Sequence, residues 1–198
     1  MTGGIRIKWF IAMFGVLLGL SQSVRAVEVN GIKLDNTASV ADQELVLNGA
    51  GVRTKVFFKV YVAGLYLSSK KASVPEVLAA PGPKRVTLVM LREVSAEQFG
   101  QGFLDGISNN STKAEKSKFV AQMLKFGEMF SKIPELKKGD LITVDWIPGT
   151  GTSIQLNGKK LSENFPDEDF YNALLKIWLG DKPVDNILKR QLLAEKSE

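Results

Sequence analysis

The stretch from Arg53 to Leu67, RTKVFFKVYVAGLYL, constrains the fold more than any other part of the chain. It is rich in Val, Phe and Tyr and reads as one long β-strand. Its even positions Val56, Phe58, Val60, Val62 and Tyr66 make a continuous apolar face, because alternate side chains of a strand point the same way. A chain organised around such a strand must build a sheet.

The remaining segments supply the partners. Val27 to Leu34 alternates around Asn30-Gly31 and predicts a hairpin. Glu44 to Leu47 is a short strand running into the loop Asn48-Gly49-Ala50-Gly51. Ser73-Val-Pro-Glu starts a short helix that ends before Pro81, and Lys84 to Leu91 is another strand. Ser95-Ala-Glu-Gln98 has the capping-box pattern. Phe99, Phe103 and Ile107 then recur every four residues as the stripe of an amphipathic helix. Lys113 to Ile133 continues as helix, with Phe119, Met123, Phe126 and Phe130 on a similar stripe. Leu141 to Ile147 and Thr152 to Leu156 are strands, the second ending in an Asn157-Gly158 turn. A helix begins near Pro166-Asp-Glu-Asp169, acids that suit its positive end, and breaks at Gly180. Pro183 opens a last helix to Leu193. Strands, then helices, then a hairpin and helices make an α+β order rather than alternating βαβ units. There is no repeat, low-complexity tract or linker, so residues 27–198 form one domain.

The first residues have the parts of a secretory signal. Arg6 and Lys8 give a positive start, Phe10 to Leu20 is uncharged and apolar, and Val24 and Ala26 are small residues where a signal peptidase reads. The expected cut follows Ala26. A spanning helix needs about 20 apolar residues, so this run is too short for a retained anchor, and the mature form is not expected to span a membrane. The expected location is the periplasm or outside the cell. Removing Arg6, Lys8 and Arg25 from the 26 Lys and Arg leaves 23 against 21 Asp and Glu. The remaining basic residues are scattered, and a nucleic-acid surface needs a basic face or stripe; none is expected here.

The chain has no histidine and no cysteine. That removes Ser-His-Asp and Cys-His nucleophiles, histidine bases and the usual zinc sites. No loop has the acidic spacing of a calcium or magnesium site, so no metal or cofactor is expected. The Asn48–Gly51 loop fails as a phosphate cradle because a strand, not a helix, follows it; its glycines permit a tight turn or bulge. Asp167, Glu168 and Asp169 are consecutive helix-start acids that do not face one another, and Trp146 and Trp178 read as core aromatics.

Arg53 stands at the mouth of the long strand, an even spacing from Tyr61. A guanidinium forks onto a carboxylate or enolate, and a phenol adds a donor, so the pair can hold the anionic head of an apolar ligand. Lys55 and Lys59 share that face by the same parity, and a bulge near the glycines would break it, so the residues alone favour an ordinary solvated arginine.

LNGAGVRTKVFFKVYVAGLYL, from Leu47 to Leu67, resembles the signature strands of the chalcone isomerase superfamily. NGKKLSENF and LLKIWLGDKPVDNILKRQLL resemble its final hairpin and helices, in the same order. The resemblance covers roughly Glu44 to Leu193 and is nearest to exported bacterial members. It implies an open-faced β-sandwich, a large antiparallel sheet under a layer of helices, with a ligand cleft between them. In plant enzymes that cleft cyclises chalcones to flavanones; in related non-catalytic members it binds fatty acids. Arg53 matches the arginine both branches use for the ligand's negative charge. Tyr61 falls where the plant enzymes carry threonine and the fatty-acid binders tyrosine. The plant catalytic tyrosine falls near Phe99, and the asparagine beyond it near Gly106, so two polar donors are replaced. The resemblance therefore implies a binder of a fatty acid or similar apolar anion. Arg53 and Tyr61 hold the head, and Phe99, Phe103 and Met123 line the tail's pocket. The alternatives are an isomerase or intramolecular lyase of another substrate, with Arg53 as electrophile, and a structural envelope protein with a vestigial cleft. An open apolar cleft ending at Arg53 separates the first two from the third.

Overall fold

In the computed structural model, which describes residues 26–193, the Arg53–Leu67 segment is not one strand but the end of one and the whole of the next. Strand β4 runs Gln43–Lys55, the chain reverses at Val56-Phe57, and β5 runs Phe58–Leu67. The reversal carries no Gly, Asn or Pro to announce it. Val56 itself takes φ 57°, left-handed backbone that a β-branched residue rarely adopts. Alternating apolar residues pass straight through the turn, which is why periodicity alone joins the two strands.

Seven antiparallel strands form the main sheet in the order β11-β10-β9-β6-β5-β4-β3. The others are β3 (Thr37–Val40), β6 (Lys84–Met90), β9 (Leu141–Ile147), β10 (Gly151–Leu156) and β11 (Lys159–Lys160). The expected hairpin is present as β1 (Ala26–Val29) and β2 (Ile32–Asp35), around Asn30-Gly31. A two-residue pair, β7 (Val94–Ser95) with β8 (Glu135–Leu136), brackets the helical middle.

Both faces of β5 are buried, so the single continuous apolar face is corrected. Tyr61, Ala63, Leu65 and Leu67 face the helices, while Val62 and Tyr66 face a smaller cluster that includes Leu34 of β2. Val56 and Phe58 are exposed. Val60 joins the helix side because the ladder slips there: Arg53 pairs Tyr61 but Thr54 pairs Lys59, leaving Val60 as an extra residue.

The helices are α1 (Val74–Leu78), α2 (Ala96–Asn109), α3 (Lys113–Lys118), α4 (Val120–Ser131), α5 (Glu168–Leu179) and α6 (Asn186–Leu192). Ser95 caps α2, accepting from the Gln98 N–H. The helix expected from Lys113 to Ile133 is two, broken at Phe119. The last helix starts later than Pro183: the Asp185 carboxylate accepts from the Ile187 and Leu188 N–H groups and is its N-cap. Among the described residues no helix is long and apolar enough to cross a membrane. The export signal read over residues 1–26 lies outside the described residues, apart from Ala26 at the start of β1.

The Asn48–Gly51 segment is strand, not loop. Asn48 is the extra residue of a second slip, between Leu47 and Gly49. It is 1% exposed, and its amide nitrogen donates to the carbonyls of Lys71 and Leu192 at 3.0 and 2.8 Å. Its amide oxygen accepts from the Lys71 N–H. The glycines beside it are needed for close approach: a Cβ at Gly49 would strike the carbonyls of Gln191 and Leu192. α6 therefore lies directly on β4.

Candidate ligand-binding site

Between the β4–β5 hairpin and helix α2 lies a cleft of about 380 Å³, toward the lower end of the roughly 300–1,000 Å³ common for small-molecule sites. Its deep wall is apolar. Phe99 and Phe103, one turn apart on α2, lie with ring centroids 4.8 Å apart, and Ile177 of α5 and Val60 join them. Gly102 between them keeps the space clear, since a Cβ there would meet nothing within 4 Å. Arg53, Lys55 and Arg92 lie at the cleft's polar side, together with Glu93.

Arg53 and Tyr61 are brought together by pairing across the hairpin rather than by spacing along one strand. Directly paired residues share a face, so the expected juxtaposition is present for a different reason. Parity fails for the lysines: Lys55 lines the cleft, whereas Lys59 reaches away to Asn30 Oδ1 at 2.6 Å. The Arg53 guanidinium lies 5.5 Å from the Tyr61 ring centroid. Its Nε is buried without a hydrogen-bond partner in the protein. Among the described residues no carboxylate forms an ion pair with it. Asp185, behind the hairpin, is already engaged: one oxygen accepts from the Thr54 N–H and the other caps α6.

Tyr61 is 1% exposed, and its oxygen accepts from Trp178 Nε1 at 2.8 Å. Burial pushes its phenol above the ordinary value of 10.0, against the opposing pull of the Arg53 charge and the Trp178 bond. The phenol therefore stays protonated. Because an indole N–H can only donate, Tyr61 keeps its own hydrogen for an acceptor in the cleft. The site can present an anion with guanidinium donors and one phenolic O–H, beside an apolar chamber.

Of the residues named from sequence, Arg53, Tyr61, Phe99 and Phe103 meet in this cleft and Met123 does not. Met123 is in the first turn of α4, on the same helix as Phe126, and packs partly buried against the core rather than lining the cleft. Phe99 lies edge-on to Tyr61, centroids 6.2 Å apart, and offers no hydroxyl. Gly106 does not open the cleft: a Cβ there would press on Ile177 at 3.0 Å, so its smallness lets α2 approach α5. Trp178, read only as core, fixes the Tyr61 hydroxyl from 117 residues away, and no local pattern could have linked the two.

The profile of the chalcone isomerase-like family matches residues 26–194. The chain belongs to that family. Among solved structures, a fatty-acid binding protein of Arabidopsis thaliana superposes with a TM-score of 0.70 at 15% identity, over 85% of this chain and 96% of its own. At that identity the likeness is one of fold, and it agrees with the sheet and helix layer described above. No curated protein matches the chain by sequence.

Proposed function

We propose that this protein binds a fatty acid, or a similar apolar anion, without transforming it, and that it does so outside the cytoplasm after removal of residues 1–26. The observation that carries the reading is the Arg53 guanidinium at an apolar cleft, with a buried Nε that no protein group satisfies. Leaving a buried donor unpaired costs free energy, and a carboxylate head would relieve that cost. The similarity to a fatty-acid binding protein supports the same reading. The isomerase alternative loses support because Phe99 and Gly106 supply no polar donor to the cleft, and each oxyanion donor is worth roughly 3 kcal/mol. Naringenin chalcone should cyclise no faster with the protein than in buffer; an Arg53-dependent acceleration would restore that alternative.

Isothermal titration of delipidated protein with palmitate tests the binding. The parent should bind, and Gly102→Leu should bind weakly or not at all while melting no lower, since it fills the cleft and replaces a helical glycine. No binding by the parent overturns the reading. Export rests on the charged start, the apolar run and the Val24-x-Ala26 order. The intact mass of protein from the cell envelope should begin at Val27, and a full-length chain held in the inner membrane would overturn it.

A further inference from the structure

The β4–β5 turn is built unlike the rest of the surface. Residues 54–59 are all exposed in succession, and three of them are large and apolar: Val56 at 77%, Phe57 at 89% and Phe58 at 59% exposure. Basic side chains surround them. Lys55 and Lys59 flank the three in sequence, and Arg92 lies over the Phe58 ring with its guanidinium carbon 4.6 Å from the centroid. Of the acids on this side, Glu93 lines the cleft, and the oxygens of Asp185 are held by backbone N–H groups. Val56 holds φ 57° at the apex, where Gly or Asn would sit without strain. A turn shaped only for folding would not place Val-Phe there.

We propose that this tip docks the protein on an anionic phospholipid bilayer. Apolar side chains ringed by Lys and Arg match a membrane interface, where rings enter the headgroup and acyl boundary and cations meet lipid phosphates. A second copy of the chain or a folded partner fits less well. A standard interface takes roughly 20–30 residues a side, and the tip offers six. A bilayer needs no complementary pocket.

The position of the tip gives the docking a purpose, and this step rests on the fatty-acid reading above. Val56 and Phe58 line the cleft as well as the tip. Docking by this turn sets the cleft mouth against the lipid surface, so an apolar chain can pass between bilayer and cleft without crossing water. Phe57 and Lys59 do not line the cleft, so docking can be altered without touching the ligand site.

Flotation with vesicles of phosphatidylethanolamine and phosphatidylglycerol, run beside vesicles of phosphatidylcholine alone, tests the docking without any fatty acid. The full-length mature protein should float with the anionic vesicles, less so in high salt. Phe57→Ser should lower the partition about tenfold, from the loss of one buried ring. Lys59→Glu should lower it at least about fivefold on anionic vesicles only. Both variants should keep the parent's palmitate affinity in solution, and Phe57→Ser should slow transfer of a fluorescent fatty acid from vesicles. Absence of flotation by the parent, or equal flotation by Phe57→Ser, overturns the docking. So does a dimer in sedimentation velocity that Phe57→Ser dissolves when no vesicle binding is seen. Phe57-dependent flotation by a protein that ignores palmitate would instead keep the docking and end the fatty-acid reading.

Discussion

Each face of the main sheet carries one arginine paired across strands with a tyrosine. On the helix side Arg53 of β4 faces Tyr61 of β5, and on the other side Arg85 of β6 faces Tyr66 of β5. The two pairs use the same side chains in directly paired positions, the first beside a slip in the ladder, and differ in what lies next along the row. Beyond Arg85 comes Asp145 of β9, which accepts from its Nε and one terminal nitrogen, each at 2.6 Å. Beyond Tyr61 comes Met90, which neutralises nothing. Tyr66 donates to the Asp35 carbonyl, whereas Tyr61 accepts from Trp178 and keeps its hydrogen. One pair is closed on itself and holds the sheet to its β1–β2 cover. The other is left with donors to spare at a cleft. What separates an arginine held in an ion pair from one with an unpaired Nε here is the residue one strand further along.

The sharpest test of that contrast is stability. Asp145→Ala leaves Arg85 without its carboxylate, and breaking such a pair costs about 3–5 kcal/mol. The lower end applies because Arg85 keeps 20% side-chain exposure. The melting temperature should fall by roughly 6 °C or more, at about 2–4 °C per kcal/mol for a chain of this size. Arg53→Ala should shift it little. Equal losses for the two variants would erase the distinction.

Palmitate affinity should show the reverse order. Arg53→Ala should bind roughly ten- to a hundredfold more weakly, the worth of a charge-assisted hydrogen bond at about 1.5–3 kcal/mol. Arg53→Lys should recover only part, because an ammonium lacks the planar fork. Asp145→Ala, measured well below its melting temperature, should bind as the parent does. Unchanged affinity in Arg53→Ala would make Arg53 an ordinary solvated arginine.

The tyrosines extend the comparison to smaller effects. Tyr61→Phe strands the buried Trp178 N–H and should cost about 1–3 kcal/mol of stability, with a loss of palmitate affinity smaller than that of Arg53→Ala. Tyr66→Phe gives up one half-buried bond to a carbonyl and should cost about 0.5–1.5 kcal/mol, without touching affinity.

Titration near neutrality should give the least. With no histidine in the chain, the melting temperature should be nearly flat between about pH 6 and 8. Burial holds the Tyr66 phenol up at about 12 and raises Tyr61 and Tyr171 above the ordinary 10.0. As pH passes about 10, the unfolded chain loses these protons while the folded one keeps them, so stability should decline from there toward about 12. A rise in melting temperature over that range would contradict the burial of all three.

Much of this is legible in the sequence. β9 and β10 read correctly because their alternation ends in Asn157-Gly158, a pair with turn chemistry of its own. α2 read correctly from Ser95, Gln98 and the four-residue recurrence of Phe99, Phe103 and Ile107. The β4–β5 hairpin did not, because Val56-Phe57 continues an alternating strand and only the backbone of the apex departs from it. Arg53 and Tyr61 were still paired, since a reversal can preserve a shared face that an even spacing also predicts. The stripe of Met123, Phe126 and Phe130 is legible, but periodicity does not say that it packs into the core and not into the cleft. Trp178 and Asp185 act on the site through contacts made over long sequence separations, and those have no periodicity to read.

Asn48 ties the first half of the chain to its last helix. Its amide binds the carbonyl of Leu192, 144 positions later, in the strand that ends beside Arg53. A chain still being synthesised can carry the glycines, the bulge and both halves of the hairpin, yet it cannot close that strand onto its last helix until Leu192 has emerged. The β4–α6 contact can therefore close only when the chain is nearly complete, and a chain cut short before α6 would keep the strands and the lining of the cleft while leaving Asn48 and Gly49 uncovered.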